Sequence, residues 1–360
     1  MRAEAPESPI AETPAVVIDE AVARRNIARF QAHLEGHGVK SRPHIKTHKL
    51  PLFAKAQIEA GARGITCQKI GEAEVMADAG LDDILITFNI LGASKLARLK
   101  ALAGRLKRLA VVADSTVTVD GLAAAFADGP AKLHVMVECD TGAGRCGVQT
   151  PEEAAALAAR IDTAAGLVFA GLMTYPAPGG AADVERFMGE ALAALAERGI
   201  ACPEISSGGS PDMWASGAPN GETSLVTEYR AGTYMYNDLS LVERGTCTLE
   251  DCALVVEATV VSLPTPTRAI VDAGSKALSS DLLGLTGHGS LIGHPRARIV
   301  ALSEEHGTIE TPAGSLAVGD RVHIVPNHVC VVSNLFDTAF LKRPDGTIEE
   351  ITIPARGRVT

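Results

Sequence analysis

The sequence lacks several features that would have narrowed its function at once. It has no Lys/Arg-rich run apart from the basic residues scattered over 95–108, and its formal net charge is −10, so nucleic acid is not an expected partner. No apolar stretch reaches the ~18 residues needed to span a bilayer. The opening MRAEAPESPIAETP carries acids and prolines where a secretory leader needs a basic start and an apolar run. A membrane partner is therefore not expected, and a cytoplasmic location is. There is no C-x-x-C. The seven cysteines, at positions 67, 139, 146, 202, 247, 252 and 330, are an odd number in a long chain, which favours free, mostly buried thiols over a disulfide framework. No internal repeat beyond a βα period and no low-complexity segment is present.

What is present reads as a folded enzyme. The chain has 360 residues, 46% hydrophobic and 21% charged, enough for one large barrel or two domains of ordinary size. From about residue 43 to 236, short β-branched runs alternate with amphipathic stretches, as in repeated βα units. Eight strands are expected: 43–48, 64–69, 83–89, 109–115, 133–140, 167–175, 204–208 and 227–234. Thr150-Pro151-Glu152-Glu153 forms a capping box opening an Ala-rich helix over 151–165, and a second helix is expected over 183–199. After about residue 245 the runs ALVVEATVVS, TRAIVDAG, ARIVAL, RVHIV and EEITI are β-rich and separated by turns. TPAVVID (13–19) has strand character and could join them. The expected fold is α/β, a (β/α)8 TIM-type barrel over 20–244, followed by an all-β domain formed by 1–19 and 245–360.

In a parallel barrel, reactive side chains sit at the C-terminal ends of strands. At the first such end stands Arg42-Pro43-His44-Ile45-Lys46-Thr47-His48-Lys49. A lysine there is costly unless it is paired or used covalently. Near other cations its amine becomes a nucleophile able to form a Schiff base with an aldehyde, although a barrel-lining salt bridge would satisfy it equally. Ser206-Ser207-Gly208-Gly209-Ser210 and Ala231-Gly232-Thr233-Tyr234 close the barrel after strands seven and eight, where backbone N–H groups left open by glycine commonly hold phosphate. Tyr175 ends strand six and Arg145 lies in the loop after strand five. An aromatic hydroxyl and a guanidinium suit a pyridine ring and its phenolic oxygen, but both are also ordinary loop residues. In the β-domain, His328-Val329-Cys330 in extended conformation would turn an imidazole and a thiolate to one face. Such a pair favours a borderline-soft ion, zinc above all, unless it is simply a buried cysteine beside a surface histidine.

Taken in order, TPAVVID, RPHIKTHK, ARGITCQKIGEAEVM, VECDTGAGRCGV, ISSGGS, EYRAGTYMYND, VDAGSKALSSD, LSEEHG and PNHVCVVSNLFD resemble the fold-type III pyridoxal-phosphate enzymes of the D-threonine aldolase and D-serine dehydratase family, more distantly alanine racemase. The resemblance covers nearly the whole chain. It implies pyridoxal 5'-phosphate carried on Lys46, Arg145 near the cofactor's 3-oxygen, Tyr175 beside the ring and Gln68 in the pocket. It implies phosphate held around Ser207, Gly208, Gly209, Gly232 and Thr233, one divalent metal ion (Zn, Mn or Mg) on His328 and Cys330, and a homodimer. Lys46 and His328 are the implied catalytic residues.

The implied activity is a lyase reaction on a D-3-hydroxy amino acid, with the metal on the 3-hydroxyl. Retro-aldol cleavage gives glycine and an aldehyde; removal of the Cα proton by Lys46 with loss of the hydroxyl gives a keto acid and ammonia, as in a D-serine or D-3-hydroxyaspartate dehydratase. The VSNLFD continuation is similar to the aldolases. Cys330, where aldolases commonly carry Asp, is similar to the dehydratases. An amino-acid racemase would need a second base and no metal. A non-catalytic pyridoxal-phosphate carrier normally lacks the β-domain.

Overall fold

The structure is a computed structural model and is described for residues 10–216 and 224–360. Residues 1–9 of the segment weighed above as a leader, and of the expected β-domain segment 1–19, lie outside the described residues. In chain order the strands are β1 (Ala15–Asp19), β2 (Lys40–Ser41), β3 (Ile65–Cys67), β4 (Asp83–Ile86), β5 (Arg108–Ala113), β6 (Leu133–Cys139), β7 (Leu167–Thr174), β8 (Ile205–Ser207), β9 (Glu228–Tyr229) and β10 (Leu254–Thr265). There follow β11 (Arg268–Val271), β12 (Ser290–Leu291), β13 (Arg298–Leu302), β14 (Gly307–Glu310), β15 (Arg321–Val325), β16 (Thr338–Lys342) and β17 (Ile348–Thr352). The described residues form two compact units: one as far as Asn26 with Thr47–Lys49 and Met235–Gly357, the other Ile27–Lys46, Leu50–Tyr234 and Arg358–Thr360.

The second unit holds the expected barrel. Its eight parallel strands run in the order β2-β9-β8-β7-β6-β5-β4-β3. The ring closes between β2 and β3 through a parallel bridge at His44 and Thr66, where Thr66 donates to the Pro43 carbonyl at 2.8 Å and Ile45 donates to the Thr66 carbonyl at 2.9 Å. The helices between strands bury one face each; that of Pro151–Thr163 buries Ala154, Ala155, Leu157, Ala158 and Ile161 behind the capping box of Thr150 and Glu153. The second expected helix spans Ala181–Glu197, with Gly180 preceding it and Asp183 in its first turn.

Inside the barrel, Leu85, Ala110, Val112, Met136, Ala170 and Met173 form an apolar layer. At the N-terminal ends of the strands lies a charged one. Arg42, fully buried, donates to Glu228 and to Asp83 at 2.7 Å each, Arg108 reaches Asp83 and Glu204, and Arg63 pairs with Glu204. Buried charges persist because every member has an opposite partner.

Two strand expectations need correction. Residues 43–48 are not a strand: β2 is Lys40–Ser41, His44 forms only the bridge, and the chain then turns over residues 45–48. Pro43 has no N–H for a ladder, and Lys49, at φ 57, and Pro51, which opens the helix Pro51–Glu59, carry the chain away. Likewise only Glu228–Tyr229 of 227–234 is strand, since Thr233–Met235 already winds into a 3₁₀ turn.

The other unit is mostly antiparallel sheet, in the order β13-β14-β11-β10-β1-β16-β17 with β15 pairing β10 and β12. TPAVVID does join it: β1 pairs antiparallel with β10 and parallel with β16. Burial alternates along β10 and β15, placing Val256, Ala258, Val322 and Ile324 inside while Glu257 meets Arg321 and His323. All seven cysteines are free; four are buried, Cys202 and Cys330 are half-buried and Cys146 is exposed. Among the described residues no helix is long and apolar enough to cross a membrane.

Candidate active site

The barrel unit gathers most of the expected cofactor residues at the C-terminal ends of its strands. Lys46 stands in the turn after the bridge at His44 and is half-buried. His44 is held at both ring nitrogens: Nδ1 accepts from the Lys46 backbone N–H at 3.3 Å, and Nε2 lies 3.1 Å from Gln68 Oε1. An accepting Nδ1 puts the proton on Nε2, which then donates to Gln68. Gln68 is anchored in turn by donating to the Thr87 carbonyl at 2.8 Å. Gln68 thus reaches Lys46 through His44, which sequence reasoning quoted but gave no role.

Across the mouth, Arg145 lies over the Tyr175 ring, 4.6 Å from its centroid, a cation–π contact that orders two loop side chains at once. The loop bearing Arg145 is shaped by Asp140, whose carboxylate accepts from the backbone N–H groups of Gly142 and Gly144 at 3.0 and 3.1 Å. Burial raises the Asp140 carboxyl, but these amide donors outweigh it and hold the group below the ordinary aspartate range.

The residues expected to hold phosphate lie at and after the ends of β8 and β9. Ser207 ends β8, and Gly208 follows at φ +137, where an added Cβ would lie 2.6 Å from the Arg230 backbone N and O. Only glycine allows that approach. A Cβ on Gly209 would meet the Tyr175 ring at 3.4 Å, and the Gly209 carbonyl accepts from Tyr229 Oη at 2.9 Å. Gly232 is buried and Thr233 half-buried at the start of the 3₁₀ turn. Two glycines without Cβ, flanked by the hydroxyls of Ser207 and Thr233, fit a phosphate. A lysine held beside an imidazole and a ring-stacked guanidinium fit the rest of pyridoxal phosphate.

The β-domain unit holds the expected metal pair, with a different local geometry. The segment is not extended throughout: His328 (φ −139, ψ 97) is the residue before the helix Val329–Leu335, and Cys330 lies in its first turn. The helix starts there because Asp238 accepts from the Val329 N–H at 3.2 Å. The imidazole and thiol still meet in a side-chain hydrogen bond. Burial opposes a charged His328, but the bonds to Cys330 and Asp281 raise it to about 9. His328 Nδ1 lies 2.7 Å from Asp281 Oδ2, and Thr47 Oγ1 lies 3.1 Å from Cys330 Sγ.

With a carboxylate on Nδ1, Nε2 would be the nitrogen turned to a metal, the arrangement that orients metal-binding histidines. The donor set of one imidazole and one sulfur fits a borderline-soft divalent ion. Among the described residues no group of three or more His, Cys, Asp or Glu side chains is placed to hold a metal ion. Sequence reasoning missed Asp281 and Thr47 as supports. Asp281 is the last residue of VDAGSKALSSD and Thr47 follows Lys46, so both lay inside quoted motifs.

Comparison with known proteins agrees with this architecture. The family model for the alanine racemase N-terminal domain matches residues 18–240, and that for the serine dehydratase domain matches residues 253–341. The chain is similar to a D-threonine aldolase of Arthrobacter sp., with 35% identity covering 98% of this chain and 95% of that protein. It is also similar to the D-threo-3-hydroxyaspartate dehydratase of Delftia sp. (strain HT23), with 32% identity over 94% of this chain and 96% of that one. The crystal structure of D-threonine aldolase from Filomicrobium marinum superposes with a TM-score of 0.87 at 31% identity, covering 97% of each chain. With its eight-stranded parallel barrel and its β-domain, the chain belongs to the alanine-racemase-fold family of lyases that includes D-threonine aldolases and D-threo-3-hydroxyaspartate dehydratases.

Proposed function

We propose that the protein is a pyridoxal-phosphate- and divalent-metal-dependent lyase that cleaves D-3-hydroxy amino acids of the D-threonine type into glycine and an aldehyde. The observation that carries this reading is similarity over 98% of the chain to a D-threonine aldolase. Pyridoxal phosphate, when bound, supplies an electron sink for charge developing at the substrate's Cα. Lys46 would hold the cofactor through its Nζ, with Gln68 and His44 fixing the approach to it. Ser207, Gly208, Gly209, Gly232 and Thr233 would bind the phosphate, and Arg145 and Tyr175 would orient the ring. His328 and Cys330 would bind the metal that polarises the 3-hydroxyl, with Asp281 orienting the imidazole. We read the enzyme as a cytoplasmic homodimer.

One observation favours a second reading. Cys330 supplies sulfur where aldolases commonly carry a carboxylate, and the similar Delftia protein is a dehydratase. In that reaction Lys46 Nζ would take the Cα proton while the hydroxyl leaves. Incubation of the purified protein with D-threonine, D-serine and D-3-hydroxyaspartate decides between them. Glycine plus aldehyde is expected; keto acid plus ammonia would establish the dehydratase, and interconversion of enantiomers alone would mean a racemase. A protein that bound the cofactor without turning over any substrate would be a carrier.

A further inference from the structure

Two tyrosines stand behind the phosphate cradle, outside the barrel wall. Met173 of β7 belongs to the apolar layer inside the barrel; it is in register with Ser206 of β8, and Ser206 is in register with Glu228 of β9. Residues in register on neighbouring strands share a side, and successive residues alternate. Ser206 and Glu228 therefore face the lumen, and Tyr229 faces the outer helix layer. There its ring meets Phe30 of the helix Glu20–Gly36 edge-on, with centroids 6.0 Å apart. Tyr229 is only 6% exposed, and its hydroxyl reaches the loop after β8, where it donates to the Gly209 carbonyl at 2.9 Å.

The loop is fixed on both sides of that bond. Before it, the Arg230 N–H donates to the Ser207 carbonyl at 2.8 Å and continues the ladder between β8 and β9. After it, Ser210 Oγ accepts from the Tyr234 N–H at 3.1 Å, which ties the loop to the 3₁₀ turn opened by Thr233. Tyr234 packs on the same Phe30 at 4.7 Å, and its hydroxyl accepts from Gln57 Nε2 at 3.0 Å. Burial pushes the Tyr229 phenol well above its ordinary range, so it stays protonated and remains a donor. The bond to Gly209 fixes more than a carbonyl. The Gly209–Ser210 peptide is trans, and a trans peptide turns its C=O and N–H to opposite sides. With the Gly209 carbonyl held on Tyr229, the Ser210 N–H is turned away from that ring. On its own open side Gly209 faces Tyr175, whose ring lies 3.4 Å from where a Cβ would stand.

We propose that Tyr229 is a positioning residue for the cofactor's phosphate: by holding the Gly209 carbonyl from outside the barrel it turns the Ser210 backbone N–H into the cradle, where that N–H binds the phosphate. The role rests on the cofactor reading above. Backbone N–H groups bind an anion when they converge on it. The glycines that leave room for a phosphate also leave the loop free to flip its peptides. Tyr229 removes that freedom at the Gly209–Ser210 peptide, and the bond from Tyr234 to Ser210 Oγ holds the next residue in place.

The test compares pyridoxal phosphate with pyridoxal, which has the same ring and aldehyde but no phosphate, on the full-length protein. Kd is read from the visible band in the parent and in Y229F, which removes one hydroxyl and keeps the ring against Phe30. We expect Y229F to raise Kd for pyridoxal phosphate roughly tenfold, the order of one hydrogen bond to a charged group, and to leave Kd for pyridoxal within about twofold. Inorganic phosphate should likewise raise the melting temperature of the cofactor-free parent more than that of cofactor-free Y229F. A parental Kd for pyridoxal phosphate in Y229F would overturn the proposal. So would an equal loss for both ligands, because it marks a general loosening of the barrel wall and no effect on the phosphate. Should Y229F not fold, the parent carries the test. Its Ser210 amide proton should move downfield with pyridoxal phosphate and not with pyridoxal, and a signal that does not distinguish the two overturns the role. A parent that binds neither pyridoxal phosphate nor inorganic phosphate defeats the cofactor reading and this role with it. A parent that binds the cofactor, beside a Y229F that treats both ligands alike, defeats this role alone.

Discussion

At the scale of single residues, three positions make the reading falsifiable. Lys46→Ala should abolish the visible absorption of the bound cofactor and all lyase activity, because the proposed attachment of the cofactor is through its Nζ. Borohydride reduction of the parent should leave the label on Lys46; a label on Lys49 or Lys276 would show the lysine to be wrongly chosen. Gly208→Ala places a Cβ 2.6 Å from the Arg230 backbone at a φ of +137. Strain of this kind costs roughly 1–3 kcal/mol, so the variant should melt at lower temperature and bind pyridoxal phosphate more weakly; unchanged melting and affinity would argue against a close glycine cradle. Cys330→Asp exchanges a soft ligand for a hard one. The activating ion should then shift from zinc toward manganese or magnesium, and chelation of the parent should remove lyase activity while leaving the cofactor's visible band largely intact. Full activity after complete metal removal would sink the metal role.

At the scale of elements, the sequence spoke clearly where local chemistry decides and less clearly where it does not. The helix Pro151–Thr163 begins where Thr150, Pro151 and Glu153 say it should, with Thr150 Oγ1 accepting from the Glu153 N–H at 3.2 Å. Thr150→Ala should therefore cost about 0.5–2 kcal/mol in chemical denaturation while leaving kcat and KM as they are; a change in KM would mean that this helix end serves the site. The helix after His328 was not legible. Its start depends on the Asp238 carboxylate, about ninety residues away in sequence, meeting the Val329 N–H, and no local signal announces a cap supplied from that distance. The strand over 43–48 failed for a related reason. RPHIKTH has the apolar and β-branched residues of a strand, but the chain turns straight after its single bridge to Thr66.

At the scale of the whole molecule, barrel closure depends on charge as well as on apolar packing. Arg42 joins the two ends of the ring electrostatically, because it follows β2 and pairs with Asp83 at the start of β4 and Glu228 at the start of β9. Removing one member of a buried pair strands the other, at a cost of about 3–5 kcal/mol. Arg42→Met should accordingly lower stability by that order in urea unfolding, whereas a loss below about 1 kcal/mol, the range of an exposed pair, would show the network to be solvated. The sequence by itself determined the βα alternation and the change to β-rich texture after residue 245, and it singled out Lys46, Arg145, Tyr175, His328 and Cys330 as candidates. Periodicity, turn chemistry and residue type are local properties that survive without coordinates. Only the tertiary structure decided that TPAVVID pairs with strands more than two hundred residues away, and that Asp281 orients His328. The same holds for the charged layer, which brings Arg42, Asp83, Arg108, Glu204 and Glu228 together from separate parts of the chain. Each of these is a meeting of residues distant in the chain, fixed by sheet register and barrel closure, and no local pattern encodes which distant partner a side chain will meet.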